Sequence, residues 1–359
     1  MNTDQVRSTG AGLVESSLHS FQLQRSLYVS TLVLVLVAML AFANGANDNC
    51  KGVATLVGYG AARPWTALCW ATVTTALGAA AGTRIGSGLL AAFRADFIGT
   101  DQSLATGFFA AVLLGAFAWV LFAAMTGLPV STTHAILGGL LGAGIVEVGL
   151  SQIGWATVAQ RFALPLLISP VIALVLVFLV GRSFAALSSG NRNQQVGIPA
   201  TPEHEAALAM HWGTSGLVGF ARGWNDTPKI AALGIAALPA SAASISTTTV
   251  VAAAMAMGGL LAGRRVLNTL ATKITPLPLG ESLASSGVSA ILVALASWRG
   301  LPVSTTHVTT GGIVGAGMSR SSRGVHWRVV GDVALSWVVT LPAAALLAAL
   351  VRSVLSAAG

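Results

Sequence analysis

Long apolar runs separated by short polar segments dominate this chain. No charged residue occurs in Val29 to Ala43, in Phe162 to Val180 or in Ile230 to Leu261, and His134 is the only ionisable side chain between Gln102 and Glu147. A helix that spans a bilayer needs about 20 mostly apolar residues. By this length the chain contains roughly nine to twelve apolar segments or half-segments, which predicts an all-α, multi-pass membrane protein.

Composition excludes a soluble domain. Hydrophobic residues make up 54% and charged residues 8% of the chain, whereas soluble globular domains carry about 25% charged residues. The 41 glycines are suited to the close approach of membrane helices. The formal net charge of +8 is spread over the predicted loops, which is typical of membrane-anchoring residues rather than of a nucleic-acid interface. We therefore expect a lipid bilayer, and no nucleic acid, as a partner.

Two motifs each occur twice, in the same order. Gly127-Leu-Pro-Val-Ser-Thr-Thr-His134 recurs unchanged as Gly300-Leu-Pro-Val-Ser-Thr-Thr-His307, at an offset of 173 residues (300 − 127). Upstream of each copy, Phe42-Ala-Asn-Gly-Ala-Asn-Asp-Asn-Cys-Lys51 aligns with Phe220-Ala-Arg-Gly-Trp-Asn-Asp-Thr-Pro-Lys229, at an offset of 178 (220 − 42). The near-constant offset indicates two homologous repeats.

The duplication divides the chain into four parts. Residues 1–26 form a polar N-terminal tail expected to lack regular structure, 27–181 the first transmembrane repeat, 182–212 a polar linker and 213–359 the second transmembrane repeat. Duplicated membrane proteins with broken helices are typical of secondary transporters, whose substrate site lies at the repeat interface near the bilayer midplane. Basic residues fall on most loops, so they leave open whether the repeats are parallel or inverted.

Two carboxylates occupy equivalent positions of the repeats. Asp48 and Asp226 lie at or inside apolar segments, where a charged residue costs about 2.5–3.5 kcal/mol on insertion scales. Lys51 and Lys229 follow three residues later, so a structural ion pair is the alternative to a coupling role. The adjacent asparagines add carbonyl oxygens, which hard cations prefer. The sequence therefore predicts cation coupling at Asp48 and Asp226, with a possible sodium site formed by Asn47, Asp48, Asn225 and Asp226.

The residues around each Asn-Asp pair favour a helix break. Gly45 and Gly223 precede the pairs, and Pro228 lies inside the second copy. Glycine and proline weaken or break helices. Unwound backbone at membrane depth is tolerated only where it is buried in protein or lines a cavity, so we expect both pairs to lie at helix breaks with carbonyl groups available to a cation.

The repeated Gly-Leu-Pro-Val-Ser-Thr-Thr-His motif predicts a re-entrant helical hairpin in each repeat. Proline and serine suit the start of a helix, and helix N-termini bind oxyanions through free backbone N–H groups. The alternative is plain capping and helix contact, but duplication beside a duplicated acid favours a binding role. The predicted anion ligands, which would face each other from the two repeats, are Ser131, Thr132, Thr133, Ser304, Thr305 and Thr306.

The lysines and histidines of the motifs allow several roles. Lys51 and Lys229 could attract the anion or pair with the carboxylates, and both readings stay open. For His134 and His307 no partner orients a nucleophilic triad. We therefore expect these histidines to cap, hydrogen-bond or handle protons, and we expect no enzyme activity.

These motifs resemble those of the inorganic phosphate transporter (phosphate permease) family. The family's Asn-Asp signature is matched by Gly45-Ala-Asn-Asp48 and Gly223-Trp-Asn-Asp226. Its Pro-x-Ser-Thr-Thr-His element is matched by Pro129-Val-Ser-Thr-Thr-His134 and Pro302-Val-Ser-Thr-Thr-His307. The likeness spans about residues 28–352, and four motifs in order make it specific.

The resemblance implies an inverted-repeat helical bundle in the cell (inner or plasma) membrane, usually a homodimer. Such a carrier moves inorganic phosphate with sodium or protons and uses no cofactor beyond that coupling ion. The two Asn-Asp pairs would coordinate the cation and phosphate, and the hairpin tips would bind phosphate. Lys51 and Lys229 stand where many relatives have a small or amide residue. An ammonium in the place of a sodium ion puts sodium coupling in doubt and favours protons.

Two other functions remain open at this point. Some members of the family carry sulfate, so the motifs do not fix the anion. An anion channel is less favoured, because channels line a continuous pore with charged rings or carbonyls, whereas duplicated broken helices favour alternating access.

Overall fold

The computed structural model describes residues 3–93, 95–99, 104–187, 201–238 and 245–358. These residues form helices and short connections, with one isolated β-bridge, so the all-helical class is confirmed. The helices of the first half are α1 Thr3–Asp48, α2 Ala54–Tyr59, α3 Pro64–Ile85, α4 Ser87–Ala92, α5 Thr106–Thr126, α6 Thr132–Val148, α7 Trp155–Val158 and α8 Leu164–Leu187. Those of the second half are α9 Pro202–Ala237, α10 Ile245–Ala262, α11 Arg264–Asn268, α12 Leu279–Trp298, α13 Thr305–Arg320 and α14 Trp327–Ala358.

The polar segments differ from expectation in one respect. The tail expected to lack regular structure is helical from Thr3 and continues into the apolar part of α1. Adding a residue to an existing helix is far easier than nucleating one, which accounts for the extension. Residues 188–200 of the linker lie outside the described residues, and α9 begins at Pro202 within it. The boundaries of the four parts stay predictions.

Several helices are long and apolar enough to cross a membrane, as expected of a multi-pass protein. Among the described residues the segments that qualify are Ser26–Gly52, Thr106–Thr126, Trp155–Phe184, Leu279–Trp298 and Trp327–Ala358. A sixth span results if Thr247–Ala262 and Arg264–Lys273, bent by 60°, count as one. This number of spans is below the nine to twelve predicted segments or half-segments. One apolar helix, α6, is too short to be counted as a span.

The two repeats are intertwined rather than side by side. Helix α1 packs along α10, and its counterpart α9 packs along α3. In the same way α6 packs on α14, and α13 packs on α8. Each of these contacts joins an element of one repeat to an element of the other, so neither repeat forms its core alone. The inverted orientation stays a prediction.

The helix pairs α5–α6 and α12–α13 correspond to the two predicted hairpins. Each pair contains the same sharp turn before its second helix. Helix α5 ends at Thr126 and α12 at Trp298. Gly127 and Gly300, which follow these helices, have positive φ values of 76° and 67°. Such φ values cost glycine little and other residues more. The four residues after each glycine lie outside helix, and α6 and α13 begin at Thr132 and Thr305. We call residues 127–133 the first tip and 300–306 the second tip.

Candidate functional site

The two tips are in direct contact inside the protein. The Thr306 hydroxyl of the second tip donates a hydrogen bond to the Val130 carbonyl of the first tip (2.6 Å). The Thr133 hydroxyl of the first tip donates to the Val303 carbonyl of the second (3.3 Å). All four residues are buried. The tips therefore face each other from the two repeats. The two hydrogen bonds are equivalent, because exchanging the repeats turns one into the other.

The serines of the tips cap the helices that follow them. The Ser131 side chain accepts from the His134 backbone N–H (3.1 Å), and Ser304 accepts from that of His307 (3.2 Å). The capping alternative is therefore real for both serines, although each hydroxyl keeps one proton to donate. The next residues, Thr132 and Thr305, are buried in the first turn of each helix. Binding of an anion by these residues stays a prediction.

Lys51 links both tips to the first carboxylate. Its ammonium group pairs with Asp48 and donates to the Thr306 hydroxyl of the second tip. It also donates to the Val130 carbonyl of the first tip (3.3 Å). Lys51 is 3% exposed, so its charge is satisfied by protein oxygens: a carboxylate, a hydroxyl and a carbonyl.

Lys229 repeats this arrangement with the tips exchanged. Its ammonium lies 3.3 Å from Asp226 and donates to the Thr133 hydroxyl (2.9 Å) and the Val303 carbonyl (2.8 Å). These three ligand types are the same as those of Lys51, and Asn225 adds an amide oxygen. Both lysines therefore pair with their carboxylates and also contact the tips. Attraction of an anion by the lysines stays a prediction.

Asn44 joins the two carboxylates. Its side-chain amide donates to Asp48 (3.2 Å), Asp226 (3.3 Å) and the Thr132 hydroxyl (2.9 Å). The two acids thus share one neutral donor. They occupy equivalent positions of the two repeats, 178 residues apart in the chain (226 − 48). The structure brings the predicted acids into one site.

Arg222, like Asn44, is a site residue that the sequence analysis missed. Its guanidinium donates to the Asn44 side-chain and backbone oxygens, and its Nε lies 3.4 Å from Asp226. Arg222 is 0% exposed. Two signals were available: it aligns with Asn44 in the repeated motif, and it is an arginine within an apolar segment, which marks a functional position.

Five buried charged side chains thus form one group, which we call the charged cluster. Its members are Asp48, Lys51, Arg222, Asp226 and Lys229. Three cations face two carboxylates, so the cluster carries a formal charge of +1. A surplus cation in a low-dielectric interior is costly without a counter-charge. The surplus positive charge of the cluster therefore favours the binding of an anion.

The two asparagines of the Asn-Asp pairs differ in their contacts. Asn47 braces the first tip, because its amide donates to the Leu128 carbonyl (2.8 Å) and accepts from the Val130 N–H (3.1 Å). Asn225 donates to Ser297 (2.8 Å) and accepts from Lys229. Both asparagines lie beside the acids, as expected. Their role as sodium ligands, together with Asp48 and Asp226, stays a prediction.

The expected helix breaks occur in one copy only. Helix α1 ends at Asp48 and gives way to a 3-10 turn at Asn49–Gly52. Helix α9 runs through Asp226 and Pro228 to Ala237, so the prediction of a break is wrong for the second copy. A proline removes one backbone hydrogen bond and kinks a helix, and here the helix continues beyond it.

Comparison with known proteins identifies the family. The family model described as Phosphate transporter family matches residues 44–348. The chain is 32% identical over 337 residues to the "Probable low-affinity inorganic phosphate transporter" of Rhizobium meliloti (strain 1021), covering 88% of this chain and 94% of that protein. This chain belongs to the phosphate transporter family. Its relatives and its fold are those of transporters, so the expectation of no enzyme is confirmed.

Two further matches agree with membership of the phosphate transporter family. A protein of Mycobacterium leprae (strain TN) with the same description is 29% identical over 330 residues, covering 87% of this chain and 75% of that protein. A solved structure described as "The sodium-dependent phosphate transporter" superposes with a TM-score of 0.80 at 24% identity, covering 92% of this chain and 99% of that one. At this identity the structural match establishes the fold.

Proposed function

We propose that this chain is a secondary active transporter that carries inorganic phosphate across the cell membrane, coupled to a cation, by alternating access. The observation that carries the proposal is the charged cluster, which presents a formal charge of +1 to two facing tips rich in hydroxyl groups. Relatives described as low-affinity inorganic phosphate transporters support the choice of substrate. A homodimer, which the family resemblance implies, is part of the proposal.

The carboxylates favour phosphate over sulfate. Phosphate near neutral pH carries protons and can donate hydrogen bonds, whereas sulfate can only accept them. Asp48 or Asp226 could accept from a protonated phosphate while the cations and threonine hydroxyls donate to its other oxygens. A sulfate ion has no proton to donate in a hydrogen bond, so the two carboxylates would repel its negative charge.

Protons are the coupling ion that the cluster favours. Each lysine ammonium is already surrounded by carboxylate, hydroxyl and carbonyl oxygens, the ligand types that a hard cation needs. Lys51 and Lys229 thus take the part that sodium would play in neutralising the acids. Protonation of a carboxylate then releases its lysine toward the anion.

Anion binding requires the tips to move. The hydroxyls of Thr133 and Thr306 donate to the opposite tip, so an anion between the tips has to replace these hydrogen bonds. The lysines can turn from the threonines to the anion without leaving the site. Separation of the tips as one repeat moves against the other would then open the site to the far side of the membrane.

Uptake of radiolabelled phosphate into proteoliposomes tests the proposal. A proton gradient and a sodium gradient are imposed separately, and unlabelled sulfate is added as a competitor. We expect proton-driven uptake that sulfate leaves unchanged. Sodium-driven uptake would keep the function and overturn the role given to the lysines. Transport of sulfate in place of phosphate would overturn the substrate.

A further inference from the structure

Four serines form a strip along one face of α12 that leads toward the charged cluster. Ser282, Ser285, Ser286 and Ser289 are spaced as one helical face requires, and each is buried. Two turns beyond Ser289, Ser297 bonds to Asn225 beside the cluster. We call the four residues the serine strip. It connects the N-terminal end of α12 with the site.

The serine strip borders a small cavity beside Lys51. The cavity measures about 10 Å³, room for about one water molecule. Its lining includes Lys51, Thr55, Ser285, Ser286, Ser289 and Thr309. The Ser289 hydroxyl is buried and has no hydrogen-bond partner among the described residues. A buried hydroxyl without a partner is costly, so the cavity favours a polar occupant.

A second unpartnered hydroxyl lies on the neighbouring helix. Ser215 of α9 is fully buried, and its Oγ also lacks a partner among the described residues. One turn nearer the start of α9, His211 bonds to Thr55 of the cavity lining (3.1 Å). At the far end of the strip, Glu281 pairs with Arg320, which is 49% exposed at its side chain. Polar groups therefore continue from Lys51 to a region open to water.

The equivalent positions of the other repeat are apolar. With the offsets of the two motifs, the serines of the cavity correspond to Val112, Leu113 and Ala116 on α5, and Thr55 corresponds to Leu233. Thr309 corresponds to Ile136 in α6. All five are buried in apolar cores. Hydroxyl groups thus line the Lys51 side of the cluster, whereas the matching positions of the other repeat hold buried apolar side chains.

We propose that the serine strip and its cavity are the access route by which a hydrated oxyanion passes between one membrane face and the charged cluster. Hydroxyl groups can replace water around such an anion one at a time without binding it tightly. We place this route on the Lys51 side, because hydroxyl groups line that side and apolar side chains occupy the matching positions of the other repeat. The identity of the anion rests on the proposed function, whereas the water access of the route does not.

Cysteine labelling tests the route directly. Ser289→Cys is compared with Ala116→Cys, its counterpart in α5, in proteoliposomes treated with a charged, membrane-impermeant methanethiosulfonate. The unmodified chain, with its own Cys50 and Cys69, gives the background. We expect Ser289→Cys to react at least about tenfold faster than Ala116→Cys, because thiol reactivity follows access, and phosphate to slow the reaction. Equal rates for the two variants would overturn the inference.

Uptake measurements complete the test. The double variant Ser285→Val with Ser289→Ala gives the strip the residues of the other repeat, and we expect phosphate uptake to fall about tenfold with the fold intact. Ala116→Ser is the control and should transport normally. Unchanged uptake by the double variant would also overturn the route. If the unmodified protein moves no phosphate, the proposed function fails, while the labelling rates still decide whether the route exists.

Discussion

At the scale of single residues, the charged cluster works as paired groups rather than as separate ligands. Asp48 and Lys51 are each at most 3% exposed and depend on each other for a counter-charge. Replacing a buried ion pair by neutral groups can be nearly neutral for stability, whereas removing one partner costs about 3–5 kcal/mol. Loss of a single charge therefore disturbs folding as well as transport.

Replacing both members of the first pair separates these effects. We expect Asp48→Asn to lower the free energy of unfolding by about 3–5 kcal/mol, and the further change Lys51→Gln to restore most of it. Neither variant should show coupled phosphate uptake. Thermal unfolding in detergent and uptake in proteoliposomes measure the two effects. Normal gradient-driven uptake by the double variant would remove Asp48 and Lys51 from the mechanism.

Arg222 supplies the surplus charge of the cluster. We expect Arg222→Gln to weaken the apparent affinity for phosphate by about tenfold or more, because a charge-assisted hydrogen-bond donor is lost. Arg222→Lys should recover part of the affinity. Arg63→Gln, at an exposed position, serves as the control. The measurement is the dependence of uptake on phosphate concentration, and an unchanged affinity in Arg222→Gln would contradict this role.

At the scale of elements, glycines set how closely α6 and α13 pack on their neighbours. A Cβ at Gly142 of α6 would lie 2.0 Å from the Ala345 carbonyl oxygen of α14. In the second repeat, a Cβ at Gly315 of α13 would lie 2.3 Å from the Leu174 carbonyl oxygen of α8. These contacts join the repeats and hold the helices that carry the tips. Small residues at such faces are what allow membrane helices to approach closely.

A single methyl group tests this packing. We expect Gly142→Ala to lower the free energy of unfolding by about 1–3 kcal/mol, the cost of overpacking. Gly331→Ala in α14 is the matched control, because nothing lies within 4 Å of its added Cβ. That variant should be unchanged or stabilised by up to about 1 kcal/mol, since alanine favours helix. Equal melting temperatures for the two variants would argue against close packing at Gly142.

At the largest scale, the alternating access that we propose requires the contact between the tips to break and re-form. The rings of His134 and His307 are in contact just behind the tips, with centroids 4.6 Å apart and planes inclined by 41°. Trp337 of α14 covers His307 at 4.0 Å. This contact joins the two repeats next to the charged cluster, so a motion that opens the site has to separate it.

Cross-linking the tips tests whether they separate during transport. We expect His134→Cys combined with His307→Cys to form a short cross-link with a bifunctional methanethiosulfonate, and the link to stop phosphate uptake. Reduction should restore uptake. Each single-cysteine variant treated in the same way is the control. Full uptake by the cross-linked protein would show that the tips stay together and would exclude this form of alternating access.

The class of the protein and its internal duplication follow from the amino-acid sequence alone. Both are local properties, because the length of an apolar run and the repetition of a motif can be read without knowing which helices touch. The two Asn-Asp pairs and the two tips were identified for the same reason. Helix caps at Ser131 and Ser304 were also predictable, since capping involves residues only three apart.

Which groups meet at the site depends on contacts between residues that are distant in the sequence. Lys51 reaches Thr306 across 255 residues of sequence, and α9 continues past Pro228 where local chemistry favoured a break. The role of Arg222 follows from the partners around it. The role of the serine strip follows from the cavity that it borders. Such contacts arise from the packing of intertwined helices, and no local pattern fixes which helix faces meet.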